Sequence, residues 1–109
     1  MKRPRRDPAP VARLLARVLD DLGLGSTSRV VRIAERWPEA VGERIAGHSR
    51  PLVLRGEELE VGVESSVWAQ ELQLCAPQLL AGLRRTLGDD APSKLRLRVA
   101  RLADDERRS

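Results

Sequence analysis

The chain has 109 residues, of which 41% are hydrophobic, 33% charged and only 2% aromatic, a length that allows one small core and no second. Its 20 Lys and Arg against 16 Asp and Glu give a net charge of +4 and an isoelectric point near 10.5, which favours polyanions or acidic proteins as partners. The single cysteine, Cys75, excludes an internal disulfide, the single histidine, His48, leaves no usual zinc ligand set, and no uncharged apolar run reaches membrane-spanning length.

Residues 1–10 hold three prolines and four basic residues without apolar periodicity and read as a flexible basic arm. From Val11, the residues Val11, Leu14, Leu15, Val18, Leu19 and Leu22 recur at helical spacing and predict a first helix with one buried stripe. Arg17 is placed to reach Asp20 and Asp21 on the outer face. Gly23 supplies a left-handed stop that folds Leu24 back toward Leu19. Ser26, Thr27 and Ser28 offer caps for a second helix, whose inner face carries Val30, Ile33, Ala34, Trp37, Val41 and Ile45. Pro38 predicts a kink or a break there.

The period becomes two over residues 50–64. A turn at Gly56 and Glu57 sets Leu54 opposite Leu59, Leu52 opposite Val61 and Arg55 opposite Glu58. Glu58, Glu60 and Glu64 point away from the core and read as a solvated face or as partners for arginines rather than a catalytic pair. Ser65 and Ser66 cap a third helix with Trp68, Leu72, Cys75, Ala76, Leu79, Leu83 and Leu87 inward and a bend at Pro77. Lys94 to Val99 alternates Leu95, Leu97 and Val99 with Lys94, Arg96 and Arg98 and predicts a third strand. The expected fold is α+β, in the order α-α-β-β-α-β, with helices on one face of a three-stranded sheet.

Charge is unevenly spread. Residues 1–17 sum to +5 and residues 94–109 to +3, around a middle of −4. Gly42 to Ser49 matches the spacing of a phosphate-binding loop, but His48 replaces its lysine and the order runs from helix into strand, so a glycine stop and polar turn explain it better. His48 reads as a polar residue near a helix C-terminus, and Cys75 as a small core residue. No catalytic, metal or cofactor constellation is found, and an enzyme is not expected. With no Phe or Tyr and both tryptophans on apolar stripes, base stacking is not expected either. The candidate nucleic-acid contacts are electrostatic: Lys2, Arg3, Arg5 and Arg6 in the arm, and Lys94, Arg96 and Arg98 on the last strand. For Arg96 and Arg98 the competing reading is a cross-strand ladder with the glutamates. Leu74 lies off the third-helix stripe and is a candidate protein contact.

Trp37, Val41-Gly42, Ile45-Ala46, His48-Ser49 and Pro51 come in that order. A hairpin through Gly56, Leu59, Val61 and Val63 follows, leading into Ser65-Ser66, Trp68-Ala69 and Glu71-Leu72. This ordered set resembles the DciA family of bacterial replicative-helicase loaders, and with its flanks the resemblance covers about 11–102, between the arm and a charged tail at 103–109. The resemblance implies a KH-like domain that binds a DnaB-type helicase and single-stranded or tailed DNA, with no cofactor, small-molecule substrate or membrane. It implies a cytoplasmic setting, with nucleoid association during replication. It marks Trp37, Gly42, His48, Trp68 and Leu72 as family-motif residues, serving the core or a partner. A small KH-like RNA-binding or ribosome-associated protein is the alternative. Many members carry a long charged extension beside this domain, whereas only about ten residues precede it here and seven follow Leu102.

Overall fold

A computed structural model describes residues 9–100. The arm with Lys2, Arg3, Arg5 and Arg6, and the tail at 103–109, lie outside the described residues. Six helices and three strands follow in the order α1 Ala9–Asp21, α2 Gly25–Glu35, α3 Trp37–Val41, α4 Glu43–Ala46, β1 Ser49–Arg55, β2 Glu58–Val63, α5 Ser66–Leu74, α6 Ala76–Leu87 and β3 Lys94–Val99, with a short 3-10 turn at Gly88–Asp90. The α+β class and the expected order hold, with the second and third predicted helices each broken into shorter ones. Arg36 ends α2, and α3 restarts with Pro38 in its first turn, where a missing N–H costs nothing. Gly42, at φ 94°, ends α3. The long C-terminal helix breaks at Cys75, and Pro77 sits in the first turn of α6.

The sheet order is β1-β2-β3, with β1 and β2 antiparallel and β3 parallel to β2. Helices α5 and α6 form the crossover that a parallel neighbour requires. Leu54, Leu59, Val61 and Val63 face the helices and meet Ile33, Trp37, Ile45, Leu72, Leu79 and Leu83 in one core. Trp37 is buried and donates Nε1–H to Ser49 Oγ at 3.0 Å, while the Ser49 hydroxyl donates to the Ile45 carbonyl at 2.6 Å. Both buried polar groups, the indole N–H of α3 and the hydroxyl of β1, are thereby satisfied.

Four expectations need correction. The hairpin holds Leu54 opposite Leu59 and Arg55 opposite Glu58, but Pro51, not Leu52, stands opposite Val61, because β1 carries an extra residue between Pro51 and Val53. The displaced Leu52 covers Gly62, where a Cβ would lie 3.0 Å from its Cδ1. None of Ser26, Thr27 and Ser28 caps α2, which begins at Gly25 with Leu24 at its N-cap. Ser28 is instead buried and accepts from Arg32 at 2.6 Å. Ala34 is exposed; Ala40 takes the inward place.

The largest departure is α1. It buries Ala16 and leaves Val11, Leu14, Leu15, Val18 and Leu22 in solvent, because α2, its one extensive neighbour, meets the Ala16 side. The Gly23 stop forms as expected, at φ 79°, with Leu24 N–H on the Leu19 carbonyl at 2.8 Å and Gly23 N–H on the Asp20 carbonyl at 3.0 Å, the pairing of a Schellman motif. Asp20 meets Arg32 at 3.5 Å.

Candidate nucleic-acid interface

The sheet face away from the helices is charged. Its register aligns Arg55, Glu58 and Lys94 in one row, Val53, Glu60 and Arg96 in the next, and Arg50, Gly62 and Arg98 in the third. Among the described residues, five cations from β1 and β3 thus share one surface with two carboxylates of β2. The predicted residues Lys94, Arg96 and Arg98 are brought together on it, all exposed. Arg50 and Arg55 were missed by sequence reasoning, although the pairing of Arg55 with Glu58 carried the signal for one of them.

The hairpin tip fixes β3 at its start. The Glu57 carbonyl accepts from Ser93 and Lys94 N–H at 2.9 and 3.1 Å. Arg29 of α2 grips the Glu57 carboxylate at 3.2 Å and donates to the Asp90 and Ala91 carbonyls at 3.2 and 3.1 Å. Arg29 is therefore spent on the scaffold. Arg32 does similar work, holding Asp90 at 2.9 Å, and that hydrogen bond raises its pKa above the ordinary guanidinium value.

Glu60, expected to face solvent, is instead buried at the centre of the face and accepts from Arg55 at 3.1 Å and Arg98 at 3.2 Å. The hydrogen bond from Arg98 holds its carboxyl below the usual range, with Arg55 adding attraction against partial desolvation. The ladder reading thus holds for Arg98, through a diagonal rather than a facing pair. Arg96, directly opposite Glu60, and Lys94 have no ion-pair partner among the described residues. One carboxylate binds two arginines that stay about two-thirds exposed, at 69% and 66%, so the pairs orient the guanidinium groups without withdrawing them from solvent.

A second cluster surrounds Trp68, which is half-buried rather than sequestered. His48 stacks on it, ring centroids 4.3 Å apart and planes 13° from parallel, and the Arg44 guanidinium lies 5.3 Å from the indole centroid. Glu64 holds His48 Nδ1 at 2.7 Å and Glu71 holds Arg44 at 2.9 Å. The Ser65 hydroxyl caps α5 on Trp68 N–H at 3.3 Å. His48 is thus more than a turn residue, and Arg44, Glu64 and Glu71 are members that sequence spacing did not reveal. Of the other family-motif residues, Trp37 and Leu72 are core and Gly42 is a helix stop; the candidate protein contact Leu74 is 76% exposed, and Val67 73%. Among the described residues no His, Cys, Asp or Glu group suits a metal, and no helix is long and apolar enough to cross a membrane.

Fold and surface together define a small α+β domain whose open sheet face is cationic. A family model described as "Dna[CI] antecedent, DciA" matches residues 10–97. The chain is similar to a UPF0232 protein of Rhodococcus jostii, 34% identical over 92 residues, 84% of this chain and 49% of that one. A UPF0232 protein of Streptomyces avermitilis is 38% identical over 85 residues, 76% of this chain and 47% of its own length. One of Mycobacterium tuberculosis is 33% identical over 97 residues, 84% of this chain and 49% of its own length. The chain belongs to the DciA family, a family of replicative-helicase loaders, and spans about half the length of these relatives.

Proposed function

We propose that this chain is a non-enzymatic adaptor that binds DNA phosphates through its open sheet face and helps a DnaB-type replicative helicase onto single strands. The observation that carries the reading is the gathering of Arg50, Arg55, Lys94, Arg96 and Arg98 on one face, which among the described strand residues they share with Glu58 and Glu60, in a member of the DciA family. Extended guanidinium groups on a sheet suit a flexible phosphate backbone, which demands charge but no fixed groove. The arm residues Lys2, Arg3, Arg5 and Arg6 add further phosphate contacts. The half-exposed pair His48 and Trp68, with Arg44, and the exposed Leu74 are the surfaces offered to the helicase.

The test measures binding of single-stranded DNA as a function of salt, and helicase loading in parallel. Lys94→Gln with Arg96→Gln is expected to reduce the log-log salt slope by roughly 0.7 for each phosphate no longer neutralised and to lower stimulation of the cognate helicase. An unchanged slope with intact folding refutes the phosphate role. Preference for structured RNA over single-stranded or tailed DNA in competition would move the assignment to the RNA-binding alternative.

A further inference from the structure

Strand β3 ends the sheet on one side, and its outer edge has no strand beside it among the described residues. The Lys94 N–H donates to the Glu57 carbonyl at 3.1 Å and the Ala100 N–H to the Val63 carbonyl at 2.7 Å, both toward the β2 side. Successive residues of a strand turn their backbone groups to alternate sides, so Arg96 and Arg98 bond β2 as well, while Leu95, Leu97 and Val99 present N–H and C=O to the free edge. Such a row is a template for a further strand.

The side chains on either side of that edge define what the strand must carry. On the open face Lys94 and Arg96 have no ion-pair partner among the described residues, so acidic residues belong beside them. On the helix side Leu95 and Leu97 are only half-buried and Val99 is 52% exposed, whereas their β2 neighbours Leu59, Val61 and Val63 are fully buried. Apolar residues belong there. Strand β2 already meets β3 with this alternation, setting Glu58 and Glu60 beside Lys94 and Arg96, and Leu59 and Val61 beside Leu95 and Leu97. The edges of a second copy do not supply it. Both carry cations on the open face, Arg50 and Arg55 on β1 and the Lys94 row on β3, and like charges set side by side repel.

We propose that the outer edge of β3 takes up an extended segment of another protein in which acidic and apolar residues alternate, adding a strand to the three-stranded sheet. Main-chain hydrogen bonds supply the affinity and the alternation of side chains supplies the selectivity. Backbone pairing holds this strand whether or not the sheet face binds DNA, while its acidic residues compete with phosphates for Lys94 and Arg96.

A fluorescein-labelled peptide that alternates Glu and Val over the length of β3 tests the edge, against a control of the same composition with Glu and Val in separate blocks. In anisotropy titrations of the full chain the alternating peptide should bind at least about tenfold more tightly than the control. Arg96→Glu should weaken it by a similar factor, with Lys94→Glu as the second variant should the first disturb folding. Amide hydrogen exchange reads strand addition directly. The N–H groups of Leu95, Leu97 and Val99 should exchange fast in the free chain and slowly with the peptide bound, while those of Arg96 and Arg98 stay slow in both. N-methylation of the valines alone should block an antiparallel strand, and of the glutamates alone a parallel one. No binding, equal binding of both peptides, binding without protection of the edge amides, or indifference to both methylated sets overturns the proposal. So does protection of the same amides by single-stranded DNA alone, which would give the edge to the DNA site.

Discussion

Gly82 of α6 is where α6 presses closest on α3. A Cβ built there would lie 2.3 Å from the carbonyl oxygen of Ala40 and 3.5 Å from its carbon. Ordinary contact would require the two helices to part by about 1 Å, and a close-packed interior resists that. The obstacle is backbone, so no rotamer change relieves it, and the separation would loosen Leu79 and Leu83 against Trp37 and Ala40 in the core. Overpacking costs about 1–3 kcal/mol, and about 2–3 kcal/mol where backbone rather than a rotamer must yield, while alanine's better helix propensity returns about 1 kcal/mol. Gly82→Ala is therefore expected to destabilise by roughly 1–2 kcal/mol, lowering the thermal midpoint by about 5–15 °C in a domain of this size. Gly47→Ala is the matched control. Gly47 has right-handed backbone, φ −70° and ψ −14°, and its Cβ would meet nothing closer than 3.5 Å. Its expected effect is a gain of about 0.4–1 kcal/mol from a less free unfolded chain. Thermal melts followed by circular dichroism distinguish the two, and a Gly82→Ala protein melting at or above the parent temperature refutes the close-approach argument.

Other consequences can be measured on the same protein. Glu60→Gln releases Arg55 and Arg98 from their shared carboxylate, so DNA affinity should rise and the salt slope steepen by about 0.7 for each further phosphate neutralised; an unchanged slope in a binding titration would count against the sheet face. Arg98 lowers the Glu60 carboxyl and Arg36 lowers that of Glu39. Each therefore adds stability that is fully present above the unfolded value of about 4.3 and is lost as pH falls through the folded one. Denaturant titrations between neutral and acid pH should show a smaller acid loss in Glu60→Gln than in the parent. Trp37→Phe deletes the donor to Ser49 and is expected to cost about 1–3 kcal/mol by urea denaturation, with the m value unchanged; a neutral result would mean that the Ser49 bond to Ile45 suffices alone.

What the sequence made legible followed from periodicity and turn chemistry. Leu59, Val61 and Val63 alternate cleanly and are all fully buried, and Gly23 could be read as a helix stop because few other residues adopt its φ without strain. The Lys94, Arg96 and Arg98 alternation placed three cations on the open sheet face for the same reason. Periodicity failed on α1, since an amphipathic stripe shows that a helix has two faces but not which one its own fold covers. It failed on Leu52, because period-two reading has no mark for an inserted residue. The Trp68 cluster was invisible for a different cause: Arg44, His48, Glu64 and Glu71 come from three separate segments, and only the tertiary fold brings them to one ring.

The extra residue in β1 has a consequence for the charged surface. In an uninterrupted strand Arg50 and Arg55, five positions apart, would point to opposite sides of the sheet, because side chains alternate. One inserted residue changes the parity, so Ser49 and Pro51 before it and Leu54 after it all turn toward the helices. Both arginines are thereby sent to the other side. The irregularity at Leu52 is thus a phase shifter that lets one short strand serve the core along its length and still deliver two cations to the same surface. Deleting Leu52 would leave Arg50 and Arg55 four positions apart, so regular alternation would still hold both on that surface, and what would be lost is the side chain that covers Gly62.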